Sequence, residues 1–65
     1  DEGVPKDLEQ AIAALPRQAR AVFVLFAIEG YTHVEIGELL DIAEGSSKAH
    51  YHRARAILQE KLSER

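Results

Sequence analysis

Lys48, His50, His52, Arg53 and Arg55 fall within eight consecutive positions of a 65-residue chain whose formal net charge is −3. Lysine and arginine donate hydrogen bonds to anions and to the acceptor edges of bases. Ser46, Ser47 and Ala49 are interleaved with these cations. Small residues let a backbone approach a ligand, and serine hydroxyls add donors for phosphate. The histidines raise a different chemistry, metal ligation or proton transfer. His50 and His52 are two apart, so on a helix they point ~200° away from each other and cannot share a metal. His33 lies in a separate segment, and no cysteine or His-x3-His spacing supplies further ligands. The sequence has no phosphate-cradling glycine loop, no nucleophile elbow and no carboxylates set apart as an acid–base pair. It reads as a non-enzyme, with no cofactor and no small-molecule substrate.

The net charge hides an uneven distribution. Residues 29–44 carry Glu29, Glu35, Glu38, Asp41 and Glu44 and no lysine or arginine. Residues 45–65 carry Lys48, Arg53, Arg55, Lys61 and Arg65 against Glu60 and Glu64. Local sign decides what a surface attracts within a Debye length of about 8–10 Å. The acidic run reads as a solvated face and the last third as basic. The absence of cysteine fits a reducing, cytoplasmic compartment. No apolar run approaches the roughly 18 residues a membrane span needs, and no signal peptide is visible. The chain does not start with methionine, which reads as a piece of something longer.

The elements that must position the cations follow from periodicity. Apolar residues recur at helical spacing throughout, and no stretch alternates as a strand does. Residues 1–5 read as a linker and 6–65 as one small domain. A first helix is expected from about Lys6 to Ala14, with Leu8, Ile12 and Leu15 on one side. Pro16 is suited to the first position of a second helix running to about Ile28, because its fixed φ and missing N–H cost nothing there. Ala19, Val22, Phe23 and Phe26 share a face of that helix, and Gly30 stops it in a left-handed conformation. Thr32 and Glu35 have capping-box spacing at the start of a third helix, whose buried face is Ile36, Leu39 and Leu40. Gly37 lies mid-helix, where it costs up to about 1 kcal/mol relative to alanine, and a close helix crossing accounts for it. Residues 40–43 form a tight turn, and the fourth helix runs from Glu44 or Gly45 to about Leu62. Arg20 is expected to pair with Glu29 or Glu35. Ile36 and Leu58 are expected in a common nucleus.

A short helix, a tight turn and a helix bearing the cations make a helix-turn-helix. On the last helix Ser47, Tyr51, Ala54, Leu58 and Leu62 fall within a sector of ~80° and form the buried stripe. Lys48, Ala49, His52, Arg53 and Ser46 lie on the other side, with His50 and Arg55 at the borders. A B-DNA major groove, about 12 Å wide, admits one such helix with its N-terminal end leading. A cation cluster alone is more often solvated surface; the preceding helix and turn shift the reading to nucleic acid. The expected fold is all-α: a small four-helix domain with a C-terminal helix-turn-helix, winged-helix-like but with no wing.

The stretch from Leu15 to Leu58 resembles region 4 of sigma-70-type initiation factors, in particular the extracytoplasmic-function (ECF) group. The resemblance rests on Leu15-Pro16, Arg20 and Glu29-Gly30, then on Tyr31, Thr32 and Glu35-Ile36-Gly37, and last on the run from Gly45 to Arg55. It covers about 50 residues in order and spacing. It implies a bacterial region 4 domain that recognises the upstream (−35) promoter element within RNA polymerase holoenzyme. Its implied partners are promoter DNA, the flap of the polymerase β subunit and an anti-sigma factor, with no membrane. By position, Lys48, Ala49, His52 and Arg53 would face bases or nearby phosphates, with Arg55 completing the basic set. Ser46, Ser47 and His50 would lie at the backbone margin, and Thr32 and His33 would approach another phosphate.

Several positions depart from the family pattern. Asp41 stands where glycine is common, Gly37 and Ala43 replace alanine and serine, and Tyr51 replaces leucine on the buried stripe. His50 stands where a longer polar donor is usual. A competing reading is a sigma-like interaction module that binds an anti-sigma factor without reading DNA. The net charge of −3 favours it, and the retained Lys48, Arg53 and Arg55 oppose it.

Overall fold

The computed structural model describes residues 5–63. Helices α1 (Lys6–Ala13) and α2 (Arg17–Phe23) are followed by a π-helical turn (Val24–Ile28), then by α3 (His33–Leu40) and α4 (Glu44–Ser63). The described residues contain no strand. The fold is the all-α four-helix arrangement the periodicity predicts, with α3 and α4 as the C-terminal helix-turn-helix. The linker expected at residues 1–5 lies, Pro5 apart, outside the described residues.

Each boundary has a local cause. Pro5 accepts the first bond of α1 from the Glu9 N–H at 2.8 Å, and Asp7 and Glu9 complement the positive end of the helix. Pro16 precedes α2 rather than sitting at its first position; its carbonyl accepts from the Arg20 N–H at 2.8 Å. The second helix does not run as a plain α-helix to Ile28. From Val24 it widens, with the Glu29 N–H reaching Val24 O at 2.9 Å and the Tyr31 N–H reaching Leu25 O at 2.9 Å. Gly30 ends the segment at φ +88°, which glycine adopts without a Cβ penalty. The Thr32 hydroxyl accepts from the Glu35 N–H at 3.1 Å while the Thr32 N–H donates to the Glu35 carboxylate at 2.9 Å. The capping box read from the sequence is therefore present.

The long helix α4 packs against α1, α2 and α3. Ala11, Ile12, Leu15, Ala19, Ala54 and Leu58 form one buried apolar cluster, flanked by the partly buried Leu8, Phe23, Val24, Ile57 and Leu62. Burying a side chain such as Ile12 or Leu58 contributes about 1.5–3 kcal/mol. Val22 and Ile36 are fully buried but are not members of that cluster, so the common nucleus expected for Ile36 and Leu58 is not found. At the level of α3 the inward side of α4 is the buried Ser47 and the partly buried Tyr51 rather than aliphatic residues, and the apolar cluster stops at Ala54. Leu39, expected inside, is 58% exposed. His33 and Gly37 take the inward positions of α3 beside Ile36, which turns the face away from Leu39. Arg20 does not show the expected ion pair; its Nη1 donates to Ala13 O at 2.9 Å and caps the last turn of α1.

Candidate nucleic-acid interface

The orientation of α4 is set by the turn before it. Asp41 adopts the left-handed conformation (φ 59°, ψ 49°) that ends α3. Its N–H and that of Ile42, the latter at 2.9 Å, both donate to Gly37 O. A Cβ on Gly37 would lie 2.6 Å from Ile42 O, closer than real Cβ atoms approach. The glycine is thus required by the backbone of the turn, not by a crossing of two helices. The turn folds back over α3, and α4 then starts with the Ser47 N–H donating to Ala43 O at 3.0 Å.

A polar and aromatic joint holds α4 at the angle the turn gives it. His33 Nδ1 lies 2.8 Å from Ser47 Oγ, between the first residue of α3 and the first turns of α4. Ser47 is fully buried, so this bond satisfies a hydroxyl that would otherwise be costly there. The His33 ring stacks on Phe26 with centroids 4.2 Å apart and planes 8° from parallel. Tyr51 meets Phe26 at 4.7 Å and Phe23 at 5.9 Å. Arg55 reaches over the Tyr51 ring, its guanidinium carbon 6.0 Å from the centroid. The widened π turn supplies Phe26, which connects α2 to this joint.

The outer side of α4 is the surface left over. Ser46, Lys48, Ala49, His52, Arg53 and Arg55 are exposed, and His50 is half-buried at the border. Thr32 is exposed at the start of α3, its hydroxyl engaged in the cap. Six of the ten candidate residues are thus exposed on one helix, His50 is half-buried on it, and Thr32 is exposed at the start of α3. Ser47 and His33 are placed otherwise: they face each other in the joint, and Ser47 has no exposed surface.

Two features were not singled out in the sequence. Ala49, His50 and Arg53 face Pro16, Gln18 and Ala19 across a cleft between α4 and the start of α2. Nothing local could reveal that cleft, because about 30 residues separate its two sides. Glu44 pairs with Lys48, Oε2 to Nζ 3.5 Å, and its i,i+4 spacing is a signal available in the sequence. Among the described residues no three His, Asp or Glu side chains are grouped to hold a metal, and no helix is long and apolar enough to cross a membrane.

The sequence that builds this cap, turn and outward-facing helix matches a known family. The model described as sigma-70, region 4 matches residues 6–58. The chain belongs to the sigma-70 region 4 family. This region 4 domain is of the ECF group. It is 36% identical over 63 residues to the ECF RNA polymerase sigma factor SigE of Mycolicibacterium smegmatis, covering 97% of this chain and 24% of that protein. It is 40% identical over 55 residues to the ECF RNA polymerase sigma factor SigW of Bacillus subtilis, covering 85% and 29%. With the ECF RNA polymerase sigma factor SigF of Caulobacter vibrioides it shares 34% identity over 62 residues, covering 95% and 35%. The chain thus spans between about a quarter and a third of the length of these relatives. No solved structure matches it at significance.

Proposed function

We propose that this region 4 domain recognises the upstream (−35) promoter element and acts in bacterial transcription initiation with RNA polymerase, as part of a cytoplasmic ECF sigma factor. The observation that carries the reading is the two-sidedness of α4. Ser47, Ala54 and Leu58 anchor it, while Lys48, His52 and Arg53 stand outward among Ser46 and Ala49. In this reading the N-terminal turns of α4 enter the major groove. Lys48 donates to base edges and Arg53 to a base or phosphate. Ser46, His50, Arg55 and Thr32 lie within reach of the flanking backbone, and Ser47 and His33 act from behind as a positioning pair. The polymerase β flap and an anti-sigma factor are the protein partners this reading expects.

Lys48→Ala and Arg53→Ala in the intact sigma factor test it. Each removes a contact on the order of 1–3 kcal/mol, so transcription from the cognate promoter is expected to fall about 5- to 150-fold with helical content unchanged. Unchanged transcription in both variants would sink the groove assignment. The second reading, a sigma-like interaction module that binds an anti-sigma factor and never a promoter, draws on the net charge of −3 and on the neutralisation of Lys48 by Glu44. Measured binding to promoter DNA separates the two, since only the groove reading predicts affinity that falls with log salt in proportion to phosphate contacts.

A further inference from the structure

The carboxylate at the entrance to α4 has no role in the reading above. Glu44 is the first residue of the helix, and its Oε2 lies 3.5 Å from Lys48 Nζ, both side chains about half exposed (51% and 56%). An exposed i,i+4 pair contributes only a few tenths of a kcal/mol, so stability gives little reason for it. An acidic first turn suits the helix dipole, but Glu35 shows that the dipole can be served by a carboxylate that is bound within its own cap. Glu44 instead projects on the flank it shares with Lys48 and His52, at i, i+4 and i+8.

On a surface that meets DNA, a negative charge there is selective. It is repelled by phosphates and by base edges that present only acceptors, and it is accommodated where a base offers an amino group. Lysine beside it requires acceptors. Along the major-groove edge a G·C pair presents the N7 and O6 acceptors of guanine and then the N4 amino donor of cytosine. A·T presents acceptor, donor, acceptor, and C·G presents the reverse order of G·C. Adjacent cationic and anionic groups complement the full guanine-to-cytosine order; at A·T they match adenine N7 and N6 but the neighbouring thymine O4 repels the carboxylate, and C·G presents the order reversed.

We propose that Glu44 and Lys48 act as a dyad that reads one G·C base pair of the promoter element. Lys48 donates to guanine O6 and N7, and Glu44 accepts from the cytosine N4 amino group. Glu44 is then a specificity-determining residue. The inference rests on the promoter-reading function proposed above.

The test is binding of sigma–RNA polymerase holoenzyme to promoter fragments in which each base pair of the upstream element is replaced in turn. It compares wild type with Glu44→Gln, Glu44→Ala and Lys48→Ala. Wild type is expected to prefer G·C over its replacements at one pair by roughly 10-fold or more. Both Glu44 variants should reduce that preference to within about 3-fold at this pair alone and leave discrimination elsewhere unchanged, since each bidentate-type contact discriminates locally. Lys48→Ala should weaken binding and lose preference at the same pair. If the Glu44 variants shift affinity equally for every sequence while Lys48→Ala still weakens binding, the dyad is overturned and the groove reading stands. If Lys48→Ala also leaves binding intact, both fall together.

Discussion

The two halves of α4 are held by different physics. Its C-terminal half contributes Ala54 and Leu58 to an apolar cluster with Ala11, Ile12, Leu15 and Ala19. That kind of attraction is non-directional and scales with the area removed from water. Its N-terminal half is held by a hydrogen bond between Ser47 and His33, a stack of His33 on Phe26, and a turn whose backbone leaves no room for a Cβ at Gly37. These contacts are directional, and they fix an angle. The comparison suggests a division of labour: the apolar half decides whether the domain folds, and the polar half decides where the cationic surface points. A helix that reads base edges needs the second as much as the first, because hydrogen bonds to bases weaken steeply with misalignment.

The largest expected effect lies in the apolar half. Leu58→Ala removes a side chain that is 5% exposed, at a cost of about 2–5 kcal/mol. A domain of this size has little stability beyond that, and the midpoint of thermal unfolding should fall by ~10 °C or more. Circular dichroism melts check it. At temperatures where the variant remains folded, its promoter preference should match wild type. A changed preference in folded Leu58→Ala would break the division between the halves.

Gly37→Ala probes the other half and should act through geometry. Alanine recovers up to about 1 kcal/mol of helix propensity. The added methyl meets the Ile42 carbonyl, and overpacking of this kind costs typically about 1–3 kcal/mol. The clash is with a backbone atom, so its cost outweighs the propensity gain, and the net loss of about 1–2 kcal/mol should still be smaller than for Leu58→Ala. The turn must move to accept the methyl, and α4 moves with it. Promoter affinity should therefore fall by more than the stability change explains, measured by titration of a labelled fragment alongside thermal melts. Equal, small changes in both would show that the turn is compliant and does not set the angle.

Much of this arrangement was legible in the sequence. Periodicity alone placed Ser47, Ala54 and Leu58 inward on α4, and the Thr32–Glu35 spacing gave the cap. Gly30 and Asp41 occupy the two left-handed positions where segments end, one comfortable for its residue and one less so. What was not legible depends on contacts between segments. The run from Val24 to Ile28 is apolar in a way that suits an α-helix, and no local signal marks the wider spacing. Arg20 had acidic partners available by charge, but the nearer acceptor was a carbonyl at the end of α1. For His33, a donor at the start of a helix invites a phosphate contact; its actual partner is 14 residues away, a serine that periodicity placed inward and the family resemblance placed at the DNA backbone. Glu44 and Lys48 are the opposite case, since their pairing is local and visible in the spacing.

The smallest effect tests whether the joint is directional at all. Ser47→Ala deletes a buried hydroxyl and leaves His33 Nδ1 without its partner in a half-buried site. The expected cost is about 1–2 kcal/mol, mostly from the unsatisfied ring nitrogen. His33→Phe keeps an aromatic ring on Phe26 but leaves the Ser47 hydroxyl unpaired, at a similar cost. Replacing both partners removes the polar atoms together, so the double variant should be destabilised by less than the sum of the two single ones. A coupling of ~0.5 kcal/mol or more in this cycle, read from urea unfolding, identifies the bond as a positioning contact. Costs that add within about 0.3–0.5 kcal/mol would mean that the hydrogen bond carries no energy of its own. The joint would then be held by ring stacking alone, and the N-terminal half of α4 would differ from the C-terminal half in residue type but not in the physics that holds it.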